Sequence, residues 1–155
     1  LCLCIHPSRL PKYRGGSPIQ NQIIDGLTSS AVTLFKMNNK IDAGDIVGQE
    51  TISLSGDLEE ILERITEASI TLIVKTLVKI NLGIKLDLIQ QEESVATYCK
   101  RRKPSDSEIT IEDLENKTAI ELYNKVRCLQ DPYPNAYIKL GNGDKLYILN
   151  TKYDA

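Results

Sequence analysis

The chain has 155 residues, 41% of them hydrophobic and 26% charged, and 19 basic against 21 acidic side chains leave a net charge of −2. That is one domain's worth of sequence with enough apolar content for a core, which excludes a disordered chain and removes the need for a disulfide or metal staple. The slightly acidic balance argues against a dedicated nucleic-acid binder, and no apolar stretch reaches the length of a membrane span.

In chain order, Leu1-Cys2-Leu3-Cys4-Ile5 is a short β-compatible apolar run and predicts a buried strand. The sequence starts without Met and without a basic segment ahead of an apolar one, so it reads as the middle of a protein rather than as a secretory leader. His6 to Gly16 follows as a loop with two prolines and two glycines. Ser17-Pro18 reads as an N-cap with proline at the first helical position, Ile19, Ile23 and Ile24 as the apolar face, and Gly26 as the stop. Ala31–Met37 and Ile46–Leu54 predict two more strands around the polar loop Asn38–Asp45.

Asp57-Leu58-Glu59-Glu60 is a capping box opening a long helix, with Leu58, Ile61, Leu62, Ile65, Ile73, Leu77 and Ile80 at helical spacing and Gly83 as its end. Strands alternating with helices predict an α/β layer on a mostly parallel sheet. Composition turns polar at Gln90-Gln91-Glu92-Glu93-Ser94, and we place a boundary there, giving units 1–95 and 96–155. Thr118 with Glu121 caps a further helix, and Ala136–Leu140 with Lys145–Asn150 form a hairpin around Gly141-Asn142-Gly143-Asp144.

Cys2, Cys4 and His6, the lone histidine, fall on one face of the first strand by the two-residue strand period. This leaves open a Cys–His nucleophilic pair, two sulfurs and an imidazole on a metal, or a general acid beside a polar group; a hydrogen-bonded structural histidine is the bland alternative. The four cysteines contain no C-x-x-C pair and the Cys/His set is too small for a zinc cage, so no metal is expected and the thiols read as reduced residues of a cytoplasmic protein. Asp42-Ala43-Gly44-Asp45 is either a plain acidic turn or a source of a carboxylate that orients an imidazole. Lys100-Arg101-Arg102-Lys103 is either a solvated turn or a phosphate grip.

The segment His6-Pro-Ser-Arg-Leu-Pro-Lys-Tyr-Arg-Gly-Gly-Ser-Pro-Ile19 closely resembles the signature loop of the folate-dependent formyltransferases. The resemblance continues through Val32–Met37, Lys40–Ile46, Ala96–Tyr98, Arg102–Asp106 and Asp131–Ala136. It implies the C-terminal half of a Rossmann-like α/β formyltransferase domain, the first half being absent from this sequence, followed by a small OB-like subdomain.

It also implies a catalytic set of His6, Asp42 and position 4, where this chain has Cys4 and the family an asparagine. The donor would be N10-formyltetrahydrofolate, with Gly16 and the loop Asn38, Asn39, Lys40, Ile41 and Asp42 at the folate edge. By that resemblance His6 donates to the developing oxyanion or to the departing folate nitrogen, and Asp42 stabilises the charged imidazole. The expected acceptor is a primary amine on a nucleotide-linked amino sugar, with methionyl-tRNA second and a non-catalytic protein that keeps the fold third. A homodimer is a further possibility, and no membrane partner is expected.

Overall fold

Ser30 to Phe35 is buried at every position, which a strand achieves only when both of its faces are covered. In the computed structural model, which describes residues 1–153, this segment is the middle strand of a three-stranded sheet. The strands are β1 (Leu3–His6), β3 (Ser29–Lys36) and β4 (Ile46–Ser53), in the order β1-β3-β4, with β2 (Arg14–Gly15) and α1 (Pro18–Ile24) lying between β1 and β3 in the chain.

The chain is mixed α/β as expected, but the expected parallel sheet is not found: β1 and β4 both run antiparallel to β3. For β4 the reason is the connection, because β3 and β4 are joined by a short polar loop with no crossover helix, and parallel neighbours need a dozen or more residues to return. The pairing of β3 and β4 shifts between Leu34 and Phe35, where Ile46 and Gly48 are partners and Val47 is the extra residue.

α2 (Leu58–Asn81) packs on this sheet, and its capping box forms as the sequence predicts: Asp57 accepts from Glu60 N and the Glu60 carboxylate accepts from Asp57 N. Its buried face carries Leu58, Ile61, Ala68, Leu72 and Thr76. Three residues expected on that face depart from the expectation, with Ile73 41%, Leu77 58% and Ile80 42% exposed. The helix stays against the sheet, since Thr76 is 6% exposed and Lys75 pairs with Glu50 of β4, but Ile73, Leu77 and Ile80 are rotated off the face that carries Leu58, Leu72 and Thr76 and so point away from it.

Ser17 does not cap α1 with its side chain; it stands in the left-handed region at φ 51° and its hydroxyl accepts from Arg102 N instead.

After the 93–95 turn come β5 (Tyr98–Cys99), α3 (Ile111–Asn116), α4 (Ala119–Arg127) and the antiparallel hairpin β6 (Ala136–Lys139) with β7 (Lys145–Ile148). The capping box of Thr118 and Glu121 forms, and a second one, Thr110 with Asp113, starts the unpredicted α3. Among the described residues after Val95, β6 pairs with β7 and β5 pairs with β2 from earlier in the chain, and no closed barrel forms. The core runs across position 95: Ile19, Ile23, Val32, Leu58 and Ile61 belong to one cluster with Ile109, Val126, Cys128, Leu129 and Ala136. The parallel pair β2–β5 is a second tie, joining the loop after β1 to the segment after Val95.

Candidate active site

β1 delivers His6 to the end of the sheet, opposite Thr33, with only 6% of the residue exposed. The chain then makes a tight loop held from the sheet side. Thr33 Oγ1 donates to Ser8 O at 2.6 Å and accepts from Leu10 N, while Gln49 Nε2 donates to Leu10 O at 3.0 Å and to Thr33 Oγ1 at 2.8 Å. The return of this loop puts Tyr13 O 2.7 Å from His6 Nε2. A carbonyl only accepts, so Nε2 carries the proton in this arrangement.

On the other side of the ring, His6 Nδ1 stands 3.5 Å from Asp42 Oδ2, a contact longer than a normal hydrogen bond. The same carboxylate oxygen accepts the Gly15 amide at 2.8 Å. The structure therefore brings together His6 and Asp42, two residues 36 positions apart, at the junction of β1 with the β3–β4 loop.

The backbone is strained at this junction. Tyr13, Ser17 and Asp42 are the non-glycine residues with positive φ among the described residues, at 58°, 51° and 49°. Such conformations cost about 1–3 kcal/mol each and persist where the surroundings over-determine them. Gly44 is what lets the loop lie down, since a side chain there would run into the carbonyl oxygen of Lys36.

Cys4 lies two residues before His6 on β1, part-buried against Leu10, Phe35 and Ile46. Burial first, and the Asp42 charge second, push its thiol up, which opposes the thiolate a Cys–His nucleophilic pair would need. Cys2 turns to the Met37 sulfur at 3.4 Å. Among the described residues no group of three His, Cys, Asp or Glu side chains is placed to hold a metal ion.

Gly16, expected as a donor at the folate edge, gives its amide to Cys99 O at 3.0 Å, and the space where its side chain would be is filled by the Arg101 backbone. Asn38, Asn39, Lys40 and Ile41 line the exposed side of the β3–β4 loop next to Asp42, with the Ile41 side chain largely in solvent. In the basic run, Lys100, Arg101 and Lys103 are exposed, and Arg102 is anchored to the loop before α1 through Ser17 and to Asp106 O at 2.7 Å.

Neither Arg14 nor Gln91 stands out from the sequence as a site residue. Arg14 is fully buried, and Gln91, in the polar run that reads as a linker, is 7% exposed and donates to the carbonyls of Asp42 and Gly44. Burial works against the Arg14 charge, but Glu93 and Tyr98 outweigh it and hold its pKa above the ordinary value. Tyr13, whose hydroxyl donates to Asp25 at 2.8 Å, is pushed up to about 12 by burial and by that carboxylate.

Residues 1–77 match the family model described as formyl transferase. Methionyl-tRNA formyltransferase of Syntrophomonas wolfei is 35% identical over 156 aligned positions, which take in 97% of this chain and 47% of that protein. The chain thus spans about half the length of the curated relatives it matches. A 4-N formyltransferase from Francisella tularensis superposes with a TM-score of 0.83 at 25% identity, over 99% of this chain and 64% of that one. HypX from Aquifex aeolicus, solved in complex with tetrahydrofolic acid, shares the fold with a TM-score of 0.78 at 22% identity, over 96% of this chain and 25% of that one.

Proposed function

Since this chain belongs to the formyl transferase family through residues 1–77, we propose that His6 and Asp42 serve formyl transfer from N10-formyltetrahydrofolate to a primary amine. The observation that carries this reading is the His6 ring itself, donating from Nε2 on one side and facing the Asp42 carboxylate on the other at a partly open loop. The folate would supply the formyl group. The exposed loop Asn38–Asp42 suits it, because it offers amide side chains, an apolar Ile41 and the rim of the histidine site together.

In this reading the Nε2 proton, held here by Tyr13 O, is offered to the formyl oxygen as the amine nitrogen forms its bond to the formyl carbon. The bond from that carbon to the folate nitrogen then breaks, the folate nitrogen takes up a proton and the amine gives one up. Asp42 would stabilise the ring in whichever state carries positive charge, the proton given up by the amine balancing the one taken up by the folate nitrogen, and the Gly15 amide fixes its carboxylate.

For the acceptor, the relatives weigh against the order expected from the sequence. Identity of 35% across nearly the whole chain to a methionyl-tRNA formyltransferase supports an aminoacyl group on tRNA, and the exposed Lys100, Arg101 and Lys103 beside Gly16 fit a phosphate-bearing acceptor. A nucleotide-linked amino sugar is the second reading, supported by the likeness to an N-formyltransferase from Helicobacter canadensis solved with folinic acid and dTDP-3-aminofucose. Assay of the protein with N10-formyltetrahydrofolate and either charged initiator tRNA or a nucleotide-linked amino sugar decides between them. We expect the higher kcat/KM with tRNA. A higher value with the sugar reverses the assignment, and folate binding without transfer to either acceptor leaves a non-catalytic protein.

Cys4 supplies a separate prediction. A thiol is a weak donor, and Cys4 Sγ is occupied by Ile5 O at 3.5 Å. Cys4→Asn, pointing the same way from β1, is expected to raise single-turnover rates by about a hundredfold, the usual worth of one oxyanion donor, with folate affinity nearly unchanged. An unchanged rate would make Cys4 a bystander.

A further inference from the structure

Between β2 and the β3–β4 loop lies a chain of buried hydrogen bonds that the transfer chemistry does not use directly. It starts at Arg14, whose side chain is removed from solvent. Its Nη1 donates to the Glu93 carboxylate at 2.9 and 3.1 Å and to the Tyr98 hydroxyl at 2.7 Å. Its Nε and Nη2 both donate to Gln91 Oε1, at 3.1 and 2.9 Å. Gln91 Nε2 in turn donates to Asp42 O at 2.8 Å and to Gly44 O at 2.7 Å.

The Gln91 amide is thus filled at every position, with two bonds accepted and two donated. Its orientation is fixed by chemistry, because a guanidinium only donates and backbone carbonyls only accept. A carboxylate in its place would still pair with Arg14 but would meet the two carbonyls oxygen to oxygen. The carbonyls that Gln91 grips lie on either side of Ala43, in the loop where Asp42 holds its left-handed backbone.

We propose that Gln91, oriented by Arg14, is a positioning residue for Asp42. By gripping the carbonyls of Asp42 and Gly44 it keeps the β3–β4 loop folded toward β1, with the carboxylate against the Gly15 amide and the His6 ring. The proposal deepens the reading of Asp42 given above and rests on it for the catalytic consequence, but not for the structural one. It also assigns the Gln90–Ser94 stretch a part in the site.

Two measurements test it. The first needs no activity. In Gln91→Glu, Gly15 amide exchange is expected to quicken by at least about tenfold, while the β3 amides of Val32 and Leu34 keep their protection. Gln91→Met, which removes the grip without adding charge, should do the same. Unchanged Gly15 exchange, or equal acceleration at β3, overturns the proposal, the latter because Gln91 would then hold the fold and not the loop.

The second is a double-mutant cycle on formyl transfer. Gln91→Glu is expected to lower kcat by about a hundredfold with KM within about twofold, and to add no further loss once Asp42 is already Asn. The same loss in both backgrounds would mean that Gln91 does not act through Asp42. If the unmutated protein transfers no formyl group, the proposed function falls, and the grip on the loop is decided by the exchange measurement alone.

Discussion

His6→Ala is expected to lower formyl transfer by about 10²–10⁴-fold, the usual contribution of a positioned proton donor, while the chain stays folded. The residue sits at the end of β1, and its strand pairing to Thr33 is made by the backbone, which alanine preserves. What alanine loses is the ring's bond to Tyr13 O and its contact with Asp42. One such bond is worth about 1 kcal/mol net, far below the effect expected on rate. Rates under saturating donor and acceptor, compared with thermal unfolding of both proteins, separate the two effects. A mutant that turns over at wild-type speed removes His6 from the mechanism; one that has lost its fold leaves the ring's role to be tested by His6→Gln, which keeps a donor of similar reach.

Asp42→Asn is the second large effect. The amide is nearly the same shape, and its oxygen can still accept the Gly15 amide that the carboxylate accepts at 2.8 Å. Only the negative charge beside Nδ1 is lost, so charge on the ring is no longer stabilised and turnover should fall by about 10²-fold or more. Asp45 is the control, three residues further along the same loop. Its backbone carbonyl accepts from Lys36 N, a bond that Asp45→Asn leaves in place, and its rate should stay within about twofold. Equal losses at the two positions would mean that the loop needs its acidic residues for shape and that neither is the partner of His6.

The features readable in the sequence were those decided over a few residues. The caps of α2 and α4 depend on Asp57 with Glu60 and Thr118 with Glu121, and three residues of spacing suffice to see them. α3 uses the same device with Asp113 in place of the usual Glu, over a helix too short to show a period. Strand direction was not readable, because alternation of strands and helices leaves open whether the chain comes back beside its predecessor or beyond it. Nor was the fate of the far end of α2, where Ile73, Leu77 and Ile80 keep the helical spacing but sit off the face that Leu72 and Thr76 turn to the sheet.

The site divides in the same way. His6 and Asp42 were visible through the resemblance their flanking motifs carry, and the structure places them side by side. Gln91 was not visible, since a glutamine inside a run of glutamine, glutamate and serine looks solvated. Its burial is created by Arg14, 77 residues earlier, and by carbonyls that no sequence pattern marks.

The core that runs across position 95 has a thermodynamic meaning. Ile19 and Ile23 on α1 and Leu58 and Ile61 on α2 share their neighbours with Val126, Cys128 and Leu129, so loosening the later residues bares the earlier ones to water. Each such side chain contributes about 1.5–3 kcal/mol through its burial, against a total stability that is only about 5–15 kcal/mol for an ordinary domain. A handful of these contacts therefore spans the whole margin, and neither side has an intermediate of its own to fall back on. Melting is then a shared event: the strands around His6 and the helices that follow Thr110 are lost together, in one transition.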